Sequence, residues 1–396
     1  MDHLREYQFR LPRNITFGLG ASEKVGERAR EYGAKRALIV TDRAFKSLGM
    51  IETISRTLSR DGIQPVVYDG VITEPTTDQV EEGLGVYRES GCDLVIGLGG
   101  GSCIDAAKAV AVLATNGGRI QDYEGRDKVK KPRAPLIAVP TTAGTGSEVT
   151  WSTVIKDNQR KVKFIVYSPK IVADEAIEDP LLTLSMPPSI TASSGMDALT
   201  HAIEGYICLR EANLGYGPPP LIHYLAVPAV ELIGQNLRQA WANGKNVEAR
   251  GNMMLGQLLA ALTFGNSGTA LAHGMARPLG AYFNVPHGLA NAIVLPHVME
   301  FTWVAVPDKF SRIARAMGEE TANLSSFQAA QKAVEAVKKL CADIQVPRLR
   351  DLGVTEEEFR NAVVQMARDG IASGTPQVNP RPPTENEVVE LFKRSF

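Results

Sequence analysis

Histidine and aspartate side chains in the second half of the chain have the types and spacing of a metal site. Asp197 and His201 are four residues apart, which places both on one face of a helix. His273 and His287, 14 residues apart, add two imidazoles. Three imidazoles and one carboxylate suit Fe(II), Zn(II) or a related divalent ion, with a position open to a substrate oxygen. Spacing alone also allows a surface ion pair of Asp197 with His201 and a turn role for His287.

Two glycine-rich segments in the first half are candidates for binding phosphate. Gly97–Lys108 follows an apolar run and opens a predicted helix, so its amide groups can face an anion. The segment departs from the dinucleotide-binding fingerprint because Ser102 replaces the last glycine. The alternative is that these glycines only form a tight turn between a strand and a helix. Pro140–Ser147 also follows an apolar run and carries four hydroxyls. Together the two segments predict a dinucleotide site.

Asp42 directly follows the apolar run 36–41. A carboxylate there can accept hydrogen bonds from ribose hydroxyls and repel a 2′-phosphate, which favours NAD over NADP. In a Rossmann unit the acidic residue follows the glycine loop, whereas here it precedes the loop, so the unit must be connected differently. The alternative is that Asp42 caps a helix.

The elements that must position these residues change character along the chain. In the first half, β-branched runs without alternation predict strands that are buried on both faces, and helical stretches separate them. The predicted strands are 36–41, 64–68, 93–97 and 136–139, with shorter ones at 161–167 and 171–173, and the predicted helices are 44–60, 77–90 and 102–115. Alternating strands and helices imply a parallel sheet.

Beyond Asp179 the strand signal disappears and helical spacing takes over. Apolar residues at steps of three and four predict one buried helix face. They are Phe327, Ala330, Val334, Val337, Cys341 and Ile344. Thr384 and Glu387 have capping-box spacing for a last helix. We therefore predict an α/β dinucleotide-binding domain over residues 1–185 and an all-α metal-binding and substrate domain over 186–396, with the cleft between them as the default ligand site.

The composition excludes several classes of protein. The 396 residues contain 43 Lys plus Arg and 44 Asp plus Glu, so no basic stripe is available for nucleic acid. No run of about 18 uncharged apolar residues predicts a membrane helix, and Met1–Tyr7 carries charges where a signal peptide needs an apolar core. The four cysteines form no CxxC pair, which is typical of reduced thiols. We expect a cytoplasmic enzyme.

Four motifs in combination resemble the iron-containing (group III) alcohol dehydrogenases. They are Gly99–Ser102 with Asp105 and Lys108, Pro140–Glu148, Gly195–Glu204, and His273–Gly280 with Pro286–Gly288. The similarity runs from Phe17 to Arg381 with the motifs in the family's order. It implies the dehydroquinate synthase-like architecture of this family, in which an α/β dinucleotide-binding domain with a parallel sheet precedes an all-α domain. It also implies a homodimer.

The resemblance implies specific roles for the residues in these motifs. The metal ligands would be Asp197, His201, His273 and His287. The pyrophosphate would contact Gly99, Gly100, Gly101 and Ser102, with Asp105, Thr141, Thr142 and Thr145 nearby, Asp42 on the adenosine ribose and Lys163 on the nicotinamide-side ribose. The implied reaction is hydride transfer between a small primary alcohol and NAD, assisted by Fe(II), or alternatively Zn(II), as a Lewis acid.

The sequence departs from the family pattern at three places. Arg277 stands where the family usually has a second histidine, four residues after His273. A guanidinium suits an anionic group on the substrate, and the alternative is a protein acid or a cofactor phosphate as its partner. Cys103 replaces a proline at a helix start, which should cost little stability. Glu211–Pro220 is longer than the usual connection and either reshapes the substrate entrance or is a tolerated insertion.

Other functions share parts of this pattern. A glycerol dehydrogenase or a 4-hydroxybutyrate-type hydroxyacid dehydrogenase would use the same fold. A lyase of the dehydroquinate synthase type would use the same cofactor domain and a divalent metal, although Gly195–Glu204 and the segment after His273 match alcohol dehydrogenases better. A nucleotide-binding protein without catalytic activity is the remote alternative, against which the four predicted ligands argue.

Overall fold

The computed structural model describes residues 6–72, 74–209 and 219–396. The chain divides into two compact units, one of Arg10–Ser185 and one of Met186–Phe396 together with the N-terminal residues up to Phe9. Residues 211–218 of the long connection noted above lie outside the described residues.

Strands of the Arg10–Ser185 unit form two sheets. They are β1 (Asn14–Phe17), β2 (Arg36–Val40), β3 (Gln64–Tyr68), β4 (Leu94–Gly99), β5 (Gly125–Arg126), β6 (Leu136–Pro140), β7 (Ser152–Asp157), β8 (Val162–Tyr167) and β9 (Glu175–Glu178). Six of them make a parallel sheet in the order β1-β9-β6-β4-β2-β3, which confirms the predicted sheet. The remaining three form a small mixed sheet in the order β5-β8-β7.

Helices cover both faces of the parallel sheet. They are α1 (Val25–Glu31), α2 (Ala44–Ser47), α3 (Met50–Arg60), α4 (Thr77–Glu89) and α5 (Gly101–Asn116). Apolar residues of α4 and α5 form one core with the sheet, and those of α1 and α3 form another. Burial on both faces is the reason that the central strands read as continuous apolar runs.

Two predicted elements of this unit differ from the structure. The predicted helix 44–60 is interrupted at Gly49, whose φ of +69° belongs to the left-handed region. The predicted strand 171–173 is wrong, because Pro169–Ile171 is a 3-10 turn capped by Ser168 and the strand is β9. Strand β9 was missed because it contains acidic residues and the strands were predicted from apolar runs. Its first residue, Glu175, is nevertheless buried and accepts a hydrogen bond from Thr16. The sequence reading also missed β1, β7 and α1.

The second unit is helical, and its described part contains no strand. Its helices are α6 (Pro188–Ile207), α7 (Leu221–Ala242), α8 (Val247–Ser267), α9 (Leu271–Phe283), α10 (His287–Thr302), α11 (Pro307–Ala316), α12 (Ser326–Asp343), α13 (Glu356–Ala372) and α14 (Glu385–Ser395). The capping box of Thr384 and Glu387 is confirmed. Among the described residues, no helix combines the length and apolar character needed to cross a membrane.

The predicted apolar face of α12 is buried except at its ends. Ala330, Val334 and Val337 are buried, whereas Phe327 is 56% exposed, so its assignment to the buried face is wrong. Phe327 lies in the first turn, where its ring meets Trp303 edge-on rather than entering the core. A residue in the first turn of a helix can keep the periodic spacing of the buried face and still lack the neighbouring side chains that bury the residues further along the helix.

Candidate active site

Three helix segments bring Asp197, His273 and His287 together. Asp197 lies in the middle of the buried helix α6, His273 in the first turn of α9 and His287 at the first position of α10. One donor atom from each lies within 4.8 Å of the others. The distances from Asp197 Oδ1 are 3.9 Å to His273 Nε2 and 3.8 Å to His287 Nε2. Nitrogen and oxygen donors converging at this separation fit a divalent ion.

His201, the fourth predicted ligand, lies beside this group. It is one turn after Asp197 on α6 and is buried. Its ring stacks on Phe264 at 3.9 Å and on His273 at 4.7 Å between centroids. The group of three convergent donors does not include it, so within the described residues the structure brings three of the four predicted ligands to one point.

Protonation in this cluster suits metal binding. Burial lowers the pKa of His273 well below its usual value, and neighbouring histidines lower it further, so the ring is neutral at pH 7. Burial alone would raise the pKa of Asp197, but His201, His287 and His273 outweigh it and lower the pKa below the usual range. A neutral imidazole and an ionised carboxylate are the forms in which these side chains bind metals. His287 keeps 48% of its side chain exposed, so the cluster is open on that side.

The sequence reading missed two polar residues at this cluster. Asn291, one turn after His287, is fully buried, and its Nδ2 donates to Asp197 Oδ1 at 2.7 Å. The same nitrogen lies 3.2 Å from His273 Nε2 and 3.3 Å from His287 Nε2. Glu204, on α6 three residues after His201, contacts His273 Nδ1 at 2.7 Å. Asn291 is four residues after His287, and Glu204 is three residues after His201. This spacing places each on the same helix face as a predicted ligand and could have identified both.

Arg277 lies one turn after His273 on α9 and is exposed. Among the described residues no hydrogen bond or ion pair engages its guanidinium. Its charge contributes to lowering the pKa of His273, behind burial and the neighbouring histidines and against the opposing effect of Asp197.

The two glycine-rich segments of the first unit face each other. Gly99 ends β4 and pairs with Pro140 at the end of β6, and Gly100 is the N-cap of α5. A Cβ on Gly101 would stand 2.8 Å from Thr145 Oγ1, and one on Gly100 would stand 3.5 Å from Thr142 Oγ1. At Gly101 a side chain would collide with Thr145, so only a glycine fits at the start of α5, where a helix N-terminus favours an anion.

Hydroxyl groups in the second segment are left without protein partners. Thr141 Oγ1 and Thr142 Oγ1 are buried and lack a hydrogen-bond partner among the described residues. A buried polar atom without a partner costs free energy unless a ligand satisfies it. Unpaired hydroxyls beside a glycine cradle fit the phosphate and ribose oxygens of a dinucleotide.

Asp105 and Lys108 join α5 to the rest of the unit. Asp105 accepts hydrogen bonds from the Ser147 hydroxyl and from the Val154 N–H. Lys108 is fully buried and donates to the carbonyl oxygens of Thr150 and Ser152. Burial raises the pKa of Asp105 and lowers that of Lys108 to about 8. These two side chains hold the second segment against the helix that begins at the first.

Asp42 and Lys163 lie in different surroundings. Asp42 follows β2, which is adjacent to β4, so it shares the carboxyl edge of the sheet with Gly99. Its Oδ1 accepts the Ala44 N–H at 2.8 Å in a local turn, and the carboxylate is only half-buried. Asp42 is not the helix cap considered as the alternative, because the N-cap of α2 is Arg43. Lys163 lies on β8 of the small sheet and forms an ion pair with Glu74.

Comparisons with known proteins agree with this geometry. Residues 12–180 match the family model described as iron-containing alcohol dehydrogenase, and residues 191–396 match that of the Fe-containing alcohol dehydrogenase family, C-terminal. The 1,3-propanediol dehydrogenase of Citrobacter freundii is 41% identical over 99% of both chains.

Solved structures give the same result. A 1,3-propanediol oxidoreductase superposes with a TM-score of 0.94 at 39% identity, covering 99% of this chain and all of that one. The sulfoacetaldehyde reductase of Bifidobacterium kashiwanohense, solved with NAD+, has a TM-score of 0.87 at 29% identity and 98% coverage of both chains. The resemblance drawn from the motifs is thereby confirmed: the chain belongs to the iron-containing alcohol dehydrogenase family and is an alcohol/aldehyde oxidoreductase.

Proposed function

We propose that this enzyme interconverts a small primary alcohol and its aldehyde with NAD and a divalent ion, Fe(II) in the first place and Zn(II) as the alternative. The observation that carries the proposal is the convergence of Asp197, His273 and His287 donors within 4.8 Å. We assign the cofactor to the domain of residues 1–185 and the metal and substrate to that of 186–396. The homodimer and the cytoplasmic location remain predictions.

The residues of the cluster have distinct tasks in this reaction. When bound, the ion supplies Lewis acidity that favours loss of the alcohol proton, and the nicotinamide exchanges the hydride. Asp197 provides the negative charge, and His201, His273 and His287 provide neutral nitrogen donors. Burial of Asp197 and His273 keeps water from competing on their side, while the exposed edge of His287 leaves room for the substrate.

Cofactor binding rests on the backbone of Gly99, Gly100, Gly101 and Ser102 and on Thr141, Thr142 and Thr145. We place the adenosine ribose at Asp42 and retain Lys163 for the nicotinamide-side ribose. Support comes from the unpaired hydroxyls of Thr141 and Thr142 and from the solved relative that carries NAD+.

We further propose that Arg277 binds an anionic tail of the substrate. Its guanidinium is exposed one helical turn from His273 and has no partner among the described residues. Guanidinium groups bind carboxylates and sulfonates through paired N–H donors. A relative named for sulfoacetaldehyde, an anionic aldehyde, gives this class of substrate a precedent in the same fold.

The test is steady-state NADH oxidation by anaerobically purified protein, reconstituted separately with Fe(II) and Zn(II), against matched neutral and anionic short aldehydes. We expect metal-dependent turnover that favours succinic semialdehyde or sulfoacetaldehyde over butanal. Turnover that favours butanal would keep the dehydrogenase and overturn the anion pocket, as would an unchanged preference in Arg277→His. Absence of turnover with either ion would favour a dehydroquinate synthase-like lyase. Glycerol and 4-hydroxybutyrate, assayed with NAD+, test the remaining alternatives.

A further inference from the structure

Glu204 lies at the junction of two helices that carry predicted metal ligands. It belongs to α6, seven residues after Asp197, and its side chain reaches the start of α9. Its Oε2 accepts the N–H of Ala270 at 2.8 Å and lies 3.4 Å from the His273 nitrogen, and its Oε1 accepts the N–H of Ala272. Helix α9 has no cap from its own N-cap side chain, so Glu204 replaces that cap from another helix.

The same carboxylate contacts the ring of His273. Glu204 Oε2 lies 2.7 Å from His273 Nδ1. Glu204 accepts backbone N–H groups on both oxygens, which favours the ionised carboxylate against the burial that raises its pKa to about 7. The ionised carboxylate can only accept hydrogen bonds, so the ring nitrogen facing it carries the proton. The proton on Nδ1 leaves the lone pair on Nε2, the nitrogen directed at Asp197 3.9 Å away. Glu204 is only 1% exposed, so no bulk water can replace it in this role.

We propose that Glu204 is a positioning residue that selects the metal-binding tautomer of His273 and sets its ring orientation relative to Asp197. Both carboxylates belong to α6, two turns apart, so one rigid helix presents a predicted ligand and also orients a second ligand from α9. The proposal rests on the function proposed above, because it assumes that His273 binds the ion through Nε2.

The variant Glu204→Gln keeps the shape of the side chain but removes its negative charge and one of its two acceptor oxygens. Gln has one acceptor oxygen and an NH2 group, so one of the two positions now facing N–H donors must present a donor instead. If the NH2 group faces His273, Nδ1 must accept and the proton moves to Nε2. If it faces Ala272, two donors oppose each other and the start of α9 shifts. Both outcomes weaken metal binding.

The first measurement tests the proposal on the wild-type protein. Nitrogen-15 spectra of metal-free protein labelled at its six histidines report which ring nitrogen carries the proton, and His273→Gln identifies the His273 signals. We expect the Nδ1–H form at His273 in the wild type. In Glu204→Gln this form is lost if the new NH2 group faces His273 and is kept if that group faces Ala272. An Nε2–H form in the wild type would overturn the proposal even if the variant failed to fold.

The second measurement is Co(II) affinity, from the absorption of the bound ion during competition with a chelator. We expect Glu204→Gln to weaken Co(II) binding about 10- to 100-fold, the usual effect of removing a group that orients a ligand. Asn246→Ala is the matched control, because it removes the cap of α8 in the same unit without touching a predicted ligand. We expect its Co(II) affinity to equal that of the wild type.

The outcomes separate this proposal from the one on which it rests. If the wild type bound no divalent ion, that result would contradict the proposed function itself. A wild type that binds Co(II), with Glu204→Gln binding it equally well, would overturn only the role of Glu204. Equal loss in Glu204→Gln and Asn246→Ala would also overturn it, since a general loss of helix capping would then explain the effect.

Discussion

The proposed metal site at Asp197 and His273 and the proposed cofactor site at Gly99–Gly101 are built by opposite means. Around Asp197 and His273 polar side chains contact one another, and the donors are held by carboxylate and amide groups such as those of Glu204 and Asn291. Around Gly99–Gly101 the site exists because side chains are absent and neighbouring hydroxyls are unpaired. Ligand binding in the first region should therefore weaken when a substitution removes charge and keeps the shape. Ligand binding in the second region should weaken when a substitution adds side-chain volume.

The largest effect is expected from Asp197→Asn, which keeps the shape and removes the charge. We expect Co(II) affinity and turnover to fall by more than about 100-fold, because even groups that only orient ligands contribute 10- to 100-fold. NADH affinity should stay within about twofold, since the cofactor is assigned to the other domain. Metal titration and NADH fluorescence check both values, and a variant that binds Co(II) like the wild type would remove Asp197 from the site.

A smaller effect is expected from Gly101→Ala, which changes volume without changing charge. The new Cβ would stand 2.8 Å from Thr145 Oγ1, so the second segment must move away from the cradle. We expect NADH to bind about 10-fold more weakly, equivalent to about 1.4 kcal/mol, with Co(II) affinity unchanged.

Gly85→Ala is the matched control, because a Cβ at Gly85 in α4 meets nothing within 4 Å. It should stabilise the protein by about 0.5–1 kcal/mol and leave NADH binding unchanged. If Gly101→Ala bound NADH as the wild type does, the close approach of the two segments would not shape the cofactor site.

Asp42→Ser tests the carboxylate that we assign to cofactor recognition. Serine can still accept the Ala44 N–H, so the turn is kept while the carboxylate is removed. We expect kcat/KM for NADPH to rise about 10-fold, because a carboxylate about 4 Å from a phosphate costs about 1–2 kcal/mol near water. The control is Asp69→Ser, the acid after the neighbouring strand β3, which should not alter the preference. Equal use of NADPH and NADH by the wild type would contradict this role.

The last prediction concerns Lys108, a buried lysine near the glycine cradle that bonds to the backbone of Thr150 and Ser152. Burial lowers its folded-state pKa to about 8 from 10.5, so the unfolded chain binds more protons between these values. The contribution of Lys108 to stability should therefore rise as pH increases from about 8 to 10.5. Relative to Lys108→Met, the free energy of unfolding of the wild type should rise by about 1–2 kcal/mol between pH 8 and 9.5 in urea titrations. A constant difference would mean that this lysine titrates normally.

The local features of both regions could be predicted from the sequence. Asp197 and His201 are spaced for one helix face, and Gly99–Ser102 lies at a strand-to-helix junction, as the structure has it. Gly49 and the acidic strand β9 were misread for opposite reasons. A single left-handed residue leaves the apolar pattern of a helix unchanged, whereas the buried Glu175 and Glu178 interrupt the apolar pattern of a strand.

Local spacing and residue type determined the candidate ligands, the glycine cradle and the change from a parallel sheet to helices, since these depend on periodicities of a few residues. Only the tertiary structure decided that Asn291 donates to Asp197 and that Glu204 contacts His273, two contacts that join residues 94 and 69 positions apart. Helix packing sets which faces meet across such separations, and the chain's local periodicity does not encode that choice.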